Sequence, residues 1–153
     1  TLEGDVNNVA NTSDAILING IRIITATTGN ILLDATTGAI TANANITFNA
    51  AGSFTVNDPL IVTGGNSLVV TAPGGIFDAN AGRLTVSGTT TLTAGAGDIT
   101  LDNAANDFVG VVTVISSAAL NLDDANTLTM FTVNSTGNAQ FDTAGALTYS
   151  GLT

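Results

Sequence analysis

The sequence predicts an all-β fold: a right-handed parallel β-helix (β-solenoid) of six to seven coils, with about 22 residues and three short strands per coil. Three observations carry this. Short runs with an apolar residue at every second position recur along the chain, as in strands with one buried face. Groups of Gly, Asn, Asp, Thr and Ala, all turn formers, separate them. Three segments also repeat one order of apolar, Asp, small, Gly, apolar, Thr: ILLDATTGAIT from Ile31, IFDANAGRLT from Ile76 and QFDTAGALT from Gln140. Their aspartates Asp34, Asp78 and Asp142 lie 44 and 64 residues apart, which two and three repeats of about 21 to 22 residues satisfy.

The elements follow in order. A single domain is expected over 1–153, with a less regular first coil through residue 30 that holds one alternation, AILI (15–18). Regular coils are expected over 31–146. NILL (30–33) and NITF (45–48) place Leu and Ile, then Ile and Phe, two apart, and SFTV (53–56) sets Phe54 and Val56 on one face. LIV (60–62) and LVV (68–70) follow a Pro and a Gly-Gly-Asn turn, and RLTV (83–86) and TTLT (90–93) follow Gly turns. DITL (98–101), VVTV (111–114) and ALNL (119–122) each bring two aliphatic residues to one side, while AQF (139–141) and ALTY (146–149) pair Ala139 with Phe141 and Leu147 with Tyr149. Division by the period gives coils near 31–53, 54–75, 76–98, 99–127 and 128–146, with a partial last coil at 147–153. The polar loop inside GDITLDNAANDFVGVVTV (97–114) is read as lengthening the coil 99–127, with Phe108 and Val109 folding back on it. No 3.6-residue apolar period persists, so helices are not expected. Six or seven coils spaced about 4.8 Å apart make a rod on the order of 30 Å long.

Composition narrows the function. The net charge of −10 comes from 12 acidic residues against Arg22 and Arg83, with no Lys. That balance lacks the basic stripe needed for nucleic acid or an anionic membrane surface, and no apolar run approaches a membrane span. Neither partner is expected. Cys and His are absent, which removes thiolate sites and the commonest zinc ligand and general base. Only 9% of residues are charged. Stacking favours this, because two carboxylates one coil apart repel by roughly 1 kcal/mol even in water.

The segment GDITLDNAANDFVGVVTV, with ALNLDDANTLTM soon after it, resembles the repeats of filamentous-haemagglutinin-like adhesins exported by two-partner systems of Gram-negative bacteria. TTGNILLDATTGAITANANITF and RLTVSGTTTLTAGAGDITLDN are similar to the same repeat style, and the likeness extends over about 25–150. The resemblance implies the shaft of a secreted, cell-surface fibre and implies no binding residue. The family's secretion domain, marked by Asn-Pro-Asn, has no counterpart here, since Pro59 follows Asp58 and Pro73 follows Ala72.

Candidate chemistry is sparse. Asp98, Asp102 and Asp107, with Asn103 and Asn106, are the candidate calcium ligands, and calcium is the one candidate cofactor. Gly95-Ala96-Gly97-Asp98 approaches the GGxGxD pattern of calcium-binding β-rolls once only. Turn chemistry, in which Asp and Asn bond their own backbone, is the expected role of these residues, of Asp123-Asp124 and of Asp34, Asp78 and Asp142. Catalysis is not expected: β-helical lyases pair carboxylates with cations, and Arg22 and Arg83 stand about three coils apart. On one strand Asp98 and Asp102 would lie about 13 Å apart, beyond the reach of a paired-carboxylate glycosidase. Thr-x-Thr steps do not fall on one face, so an ice-binding array is not expected. Sequons at Asn11, Asn45 and Asn134 follow from a composition rich in Asn and Thr. The expected role is a non-catalytic shaft of a secreted, extracellular adhesin or fibre. The alternative is a subunit stacking end to end with its own copies into a filament. A host or cell-surface glycan or protein is the remaining partner class.

Overall fold

Turn residues every few positions return the chain on itself, and the result is a parallel β-solenoid of about six turns. The computed structural model describes residues 16–35, 38–79 and 81–150, and no helix occurs among them. The first coil is β1 (Ile16–Ile18), β2 (Arg22–Ala26) and β3 (Ile31–Leu33); the second is β4 (Ile40–Ala42), β5 (Ile46–Ala50) and β6 (Phe54–Val56). The third is β7 (Leu60–Val62), β8 (Leu68–Thr71) and β9 (Ile76–Asp78), and the fourth β10 (Leu84–Val86), β11 (Thr90–Thr93) and β12 (Ile99–Leu101). The fifth is β13 (Asp107–Phe108), β14 (Val112–Ser117) and β15 (Leu120–Asp124). Two strands then suffice per turn: β16 (Leu128–Ser135) and β17 (Ala139–Thr143), followed by β18 (Leu147–Tyr149).

Like strands stack into three parallel sheets. Sheet I is β1-β4-β7-β10-β13, sheet II is β2-β5-β8-β11-β14-β16-β18, and sheet III is β3-β6-β9-β12-β15-β17. In the middle of sheet II the register runs Ile46, Leu68, Thr90, Val112, a step of 22 residues. Period-2 alternation sends one residue in two inward. Each inward side chain therefore meets its equivalents above and below, as Phe48, Val70, Leu92 and Val114 do, all fully buried. Phe48 also packs on Phe54 across the interior with ring centroids 4.9 Å apart. The core is thus a stack of small layers, each shared by three sheets.

Thr90 interrupts that stack. It is fully buried between Leu68 and Val112, and its hydroxyl has no hydrogen-bond partner. A buried hydroxyl without a partner costs about 1 kcal/mol or more, and valine fills the same shape. Thr90→Val is expected to raise the unfolding free energy by about 1 kcal/mol in urea titration; an unchanged or lowered midpoint would contradict this.

Several sequence-level expectations need correction. The apolar runs do not predict the strands at 22–26, 40–42, 76–78, 107–108 and 128–135. Ile40–Ala42 carries one large apolar residue, β13 has two residues, and β16 breaks its alternation at Phe131. There the pairing passes from Val112↔Met130 to Thr113↔Thr132, leaving Phe131 as an extra, exposed residue. The coil through 97–114 is not lengthened: Ile99 pairs with Leu120, 21 residues on, and the polar loop leads into β13. Phe108 is buried there, whereas Val109 is 62% exposed and does not fold back. The three repeated aspartates do not form one column. Asp78 pairs with Val56, whose partner below is Leu33, so Asp34 lies one residue further along. That slip turns Asp78 into an inward slot. Residues 1–15 of the first coil, Asn11 among them, and residues 151–153 of the last lie outside the described residues.

Candidate functional site

Polar side chains gather where sheet III turns toward sheet I, on the coil between Ile76 and Asp107. Asp78, in the inward slot used by Val56 and Leu101, is the centre of this corner. Its Oδ1 accepts the Asp102 N–H at 3.2 Å, and its Oδ2 accepts the Asn103 N–H at 3.2 Å and the Asn106 Nδ2–H at 2.8 Å. One coil below, the equivalent ladder bond is purely backbone, from the Ala79 N–H to the Val56 carbonyl. The Asp78 carboxylate therefore replaces a main-chain acceptor. Burial pushes its carboxyl above the ordinary Asp value, while the Asn106, Asn103 and Asp102 donors hold it down and the Asp102 charge adds to the rise.

Asn106 does the same on the neighbouring side. It occupies the sheet I slot preceding Phe108, which Leu84 and Leu60 fill in the coils below. It is fully buried. Its Oδ1 accepts the Leu84 N–H at 2.7 Å, and its Nδ2 also donates to the Leu101 carbonyl at 3.1 Å. In the coils below, Leu60 N–H bonds the Arg83 carbonyl and Ile40 N–H bonds the Pro59 carbonyl. An amide side chain again stands in for backbone. Asn103 completes the corner, donating from Nδ2 to the Gly82 carbonyl at 2.6 Å and accepting the Ala105 N–H at 2.9 Å.

The calcium candidates are held apart by this geometry. Asp98 sits before β12 at the turn from sheet II, where its Oδ1 accepts the Ala119 N–H at 2.9 Å. Asn30 performs the same task three layers away, accepting the Ser53 N–H at 2.9 Å. Asp102 lies just after β12, and its field reaches Asp123, whose carboxyl is raised by burial, then by Asp142, then by Asp102. Asp107 opens β13, with its Oδ1 bound to Asn126 Nδ2 at 2.9 Å. Among the described residues no three acidic side chains converge so as to hold a metal ion.

Other corners repeat the motif of side chain bonded to the next coil. Asn43 Nδ2 donates to Asn19 Oδ1 at 2.6 Å, Asn45 Oδ1 accepts the Ser67 N–H at 2.9 Å, and the Ser67 and Thr89 hydroxyls lie 2.8 Å apart. The sequon Asn134 donates to the Ile115 carbonyl at 3.2 Å. An open apolar hollow of about 420 Å³ lies at the first coil, lined by Leu17, Ile18, Asn19, Arg22 and Ile24, distant in the stack from all these acids. What the polar residues do chemically is hold backbone N–H and C=O groups across coils.

Sequence reasoning read Asn106, Asp78 and Asp124 as turn residues. All three fall two positions from an apolar inward residue: Phe108, Ile76 and Leu122. Alternation was the signal that could have placed them inside.

Residues 44–115, just under half of the chain, match a family model described as repeats of unknown function, DUF5649. The match begins just before β5 and ends within β14, the part of the stack in which three strands are laid down per turn. No match was found among curated proteins or among solved structures.

Proposed function

We propose that this chain is a non-catalytic shaft, a β-solenoid segment that sets the length and stiffness of a secreted, cell-surface adhesin or extracellular fibre. The supporting observation is that polar side chains at successive corners are engaged in bonds between coils, over sequence separations such as 21 to 28 residues around Asp78, Asp98 and Asn106. Such a rod acts by extent rather than by a binding group, and six coils extend on the order of 30 Å. The match to a repeat family supports a modular, repeating role. The secreted setting rests on the likeness of 97–114 to adhesin repeats.

Negative-stain electron microscopy of the isolated chain tests this. Discrete rods whose length does not change with concentration are expected. Fibres that lengthen with concentration would overturn the spacer reading in favour of a filament subunit, and saturable binding on a glycan array would overturn it in favour of carbohydrate recognition.

A further inference from the structure

Asp124 marks the joint at which the third side of the solenoid stops. It ends β15, and the chain turns through 125–127 straight into β16 on sheet II, with no further strand on sheet I among the described residues. Alternation sets Leu120, Leu122 and Asp124 on one inward face, and Asp124 is only 3% exposed. Its Oδ1 accepts the Asn126 N–H at 3.2 Å, but its Oδ2 is buried with no hydrogen-bond partner. Asn126 also donates from Nδ2 to Asp107 Oδ1 at 2.9 Å, so one turn residue clamps two carboxylates. The same turn ties to the body through the Ala125 N–H, bound to the Asn106 carbonyl at 2.7 Å.

The surroundings carry no compensating charge. Asp107 faces Asp124 from β13 and Asp123 adjoins it on β15; Thr143 stacks on it from β17 with Asp142 beside it. Asn103 precedes it by one coil, and Asn106 nearby is bound to Asp78. Arg83 precedes β10, a coil below β13, and Arg22 belongs to the first coil. Burial drives the Asp124 carboxyl upward and Asp107 adds to the rise, opposed by the Asn126 N–H bonded to Oδ1 and by the nearby Phe108 and Ala125 N–H groups, neither of which reaches hydrogen-bond geometry with Oδ2. An oxygen closed to water leaves no room for a cation, whereas a proton fits.

We propose that Asp124 is an acid-closed latch: with its carboxyl protonated, the two-strand turns over 128–150 pack on the three-sheet body, and ionisation loosens that joint. The sign follows from linkage. The folded chain holds this proton more tightly than the unfolded chain. The stabilisation is therefore complete below the unfolded-state value and is lost as pH rises through the folded-state value.

Two measurements on the full chain test it. A carbon-13 NMR titration of the Asp124 carboxyl is expected to give a midpoint above the ordinary Asp range. A midpoint within or below that range overturns the proposal, whether or not any variant folds. Amide hydrogen exchange over 128–150, corrected for intrinsic rates, is expected to speed up as pH rises above the ordinary Asp range, by up to about tenfold for each pH unit by which the folded-state midpoint is raised. Asp124→Asn should keep the slow exchange at the higher pH. A variant whose 128–150 segment opens with the same pH dependence as the parent chain overturns the latch.

Discussion

Asn106→Leu is expected to lower the unfolding free energy by about 3 to 4 kcal/mol, measured by urea denaturation. Its column argues the other way at first sight, because Leu84 and Leu60 fill the same slot in the coils below and are fully buried. Leucine would add apolar contact but remove three bonds at once. The Leu84 N–H loses its acceptor at 2.7 Å, the Leu101 carbonyl loses a donor at 3.1 Å, and Asp78 loses its donor at 2.8 Å. A buried donor without an acceptor and a half-buried carboxylate with one donor fewer each cost more than a methyl group returns. An unfolding midpoint equal to or above the parent's would show that the corner is ordinary core.

The pair of replacements makes the test sharper. Asp78→Val with Asn106→Leu restores the pattern of the coils below, in which Val56 and Leu60 face inward and their ladders use backbone carbonyls. With both side chains apolar, the Asp102 and Leu84 N–H groups can turn to the carbonyls of residues 78 and 105, as Ala79 and Leu60 already do one coil down. The double variant is therefore expected to recover at least about 1.5 kcal/mol relative to the sum of the single losses. Strict additivity would mean the two residues act independently.

This corner also explains what could be read from the amino-acid order and what could not. Period-2 runs such as FTV, LTV and ITL place Phe54 with Val56, Leu84 with Val86 and Ile99 with Leu101 inward. A repeat of about 22 residues follows from spacing alone. Polar residues in inward slots were lost because their chemistry suits turns, and the backbone of a turn and that of a strand end differ little in sequence. Asn106, Asp78 and Asp124 are all of this kind. Two insertions hid the end of sheet II. Ile115 is skipped where the pairing passes from Leu92↔Val114 to Thr93↔Ser116, and Phe131 is skipped one strand later, so alternation fails in each. The change from three strands per turn to two depends on 125–127 bridging sheet III to sheet II directly, and no residue type announces that.

The second large effect concerns backbone contact rather than side chains. Gly110 stacks on Gly88, which stacks on Asn66, at the turn from sheet I to sheet II. A Cβ at Gly110 would fall 2.5 Å from the Gly88 carbonyl carbon and closer still to its oxygen, and a Cβ at Gly88 would fall 2.5 Å from the Asn66 carbonyl carbon. Backbone atoms cannot rotate away, so the two coils must separate locally and stretch the ladder bonds of β11 and β14. Gly110→Ala is expected to cost about 3 kcal/mol for this reason. Gly65 provides the contrast. Its φ of +73° disfavours a side chain, yet nothing lies within 4 Å of the added carbon. Gly65→Ala should cost only about 1 kcal/mol, the strain of a left-handed residue. Urea midpoints for the two variants decide between the mechanisms. A larger loss at Gly65 would mean that turn conformation limits this solenoid, whereas a larger loss at Gly110 means that the close approach of one coil to the next does.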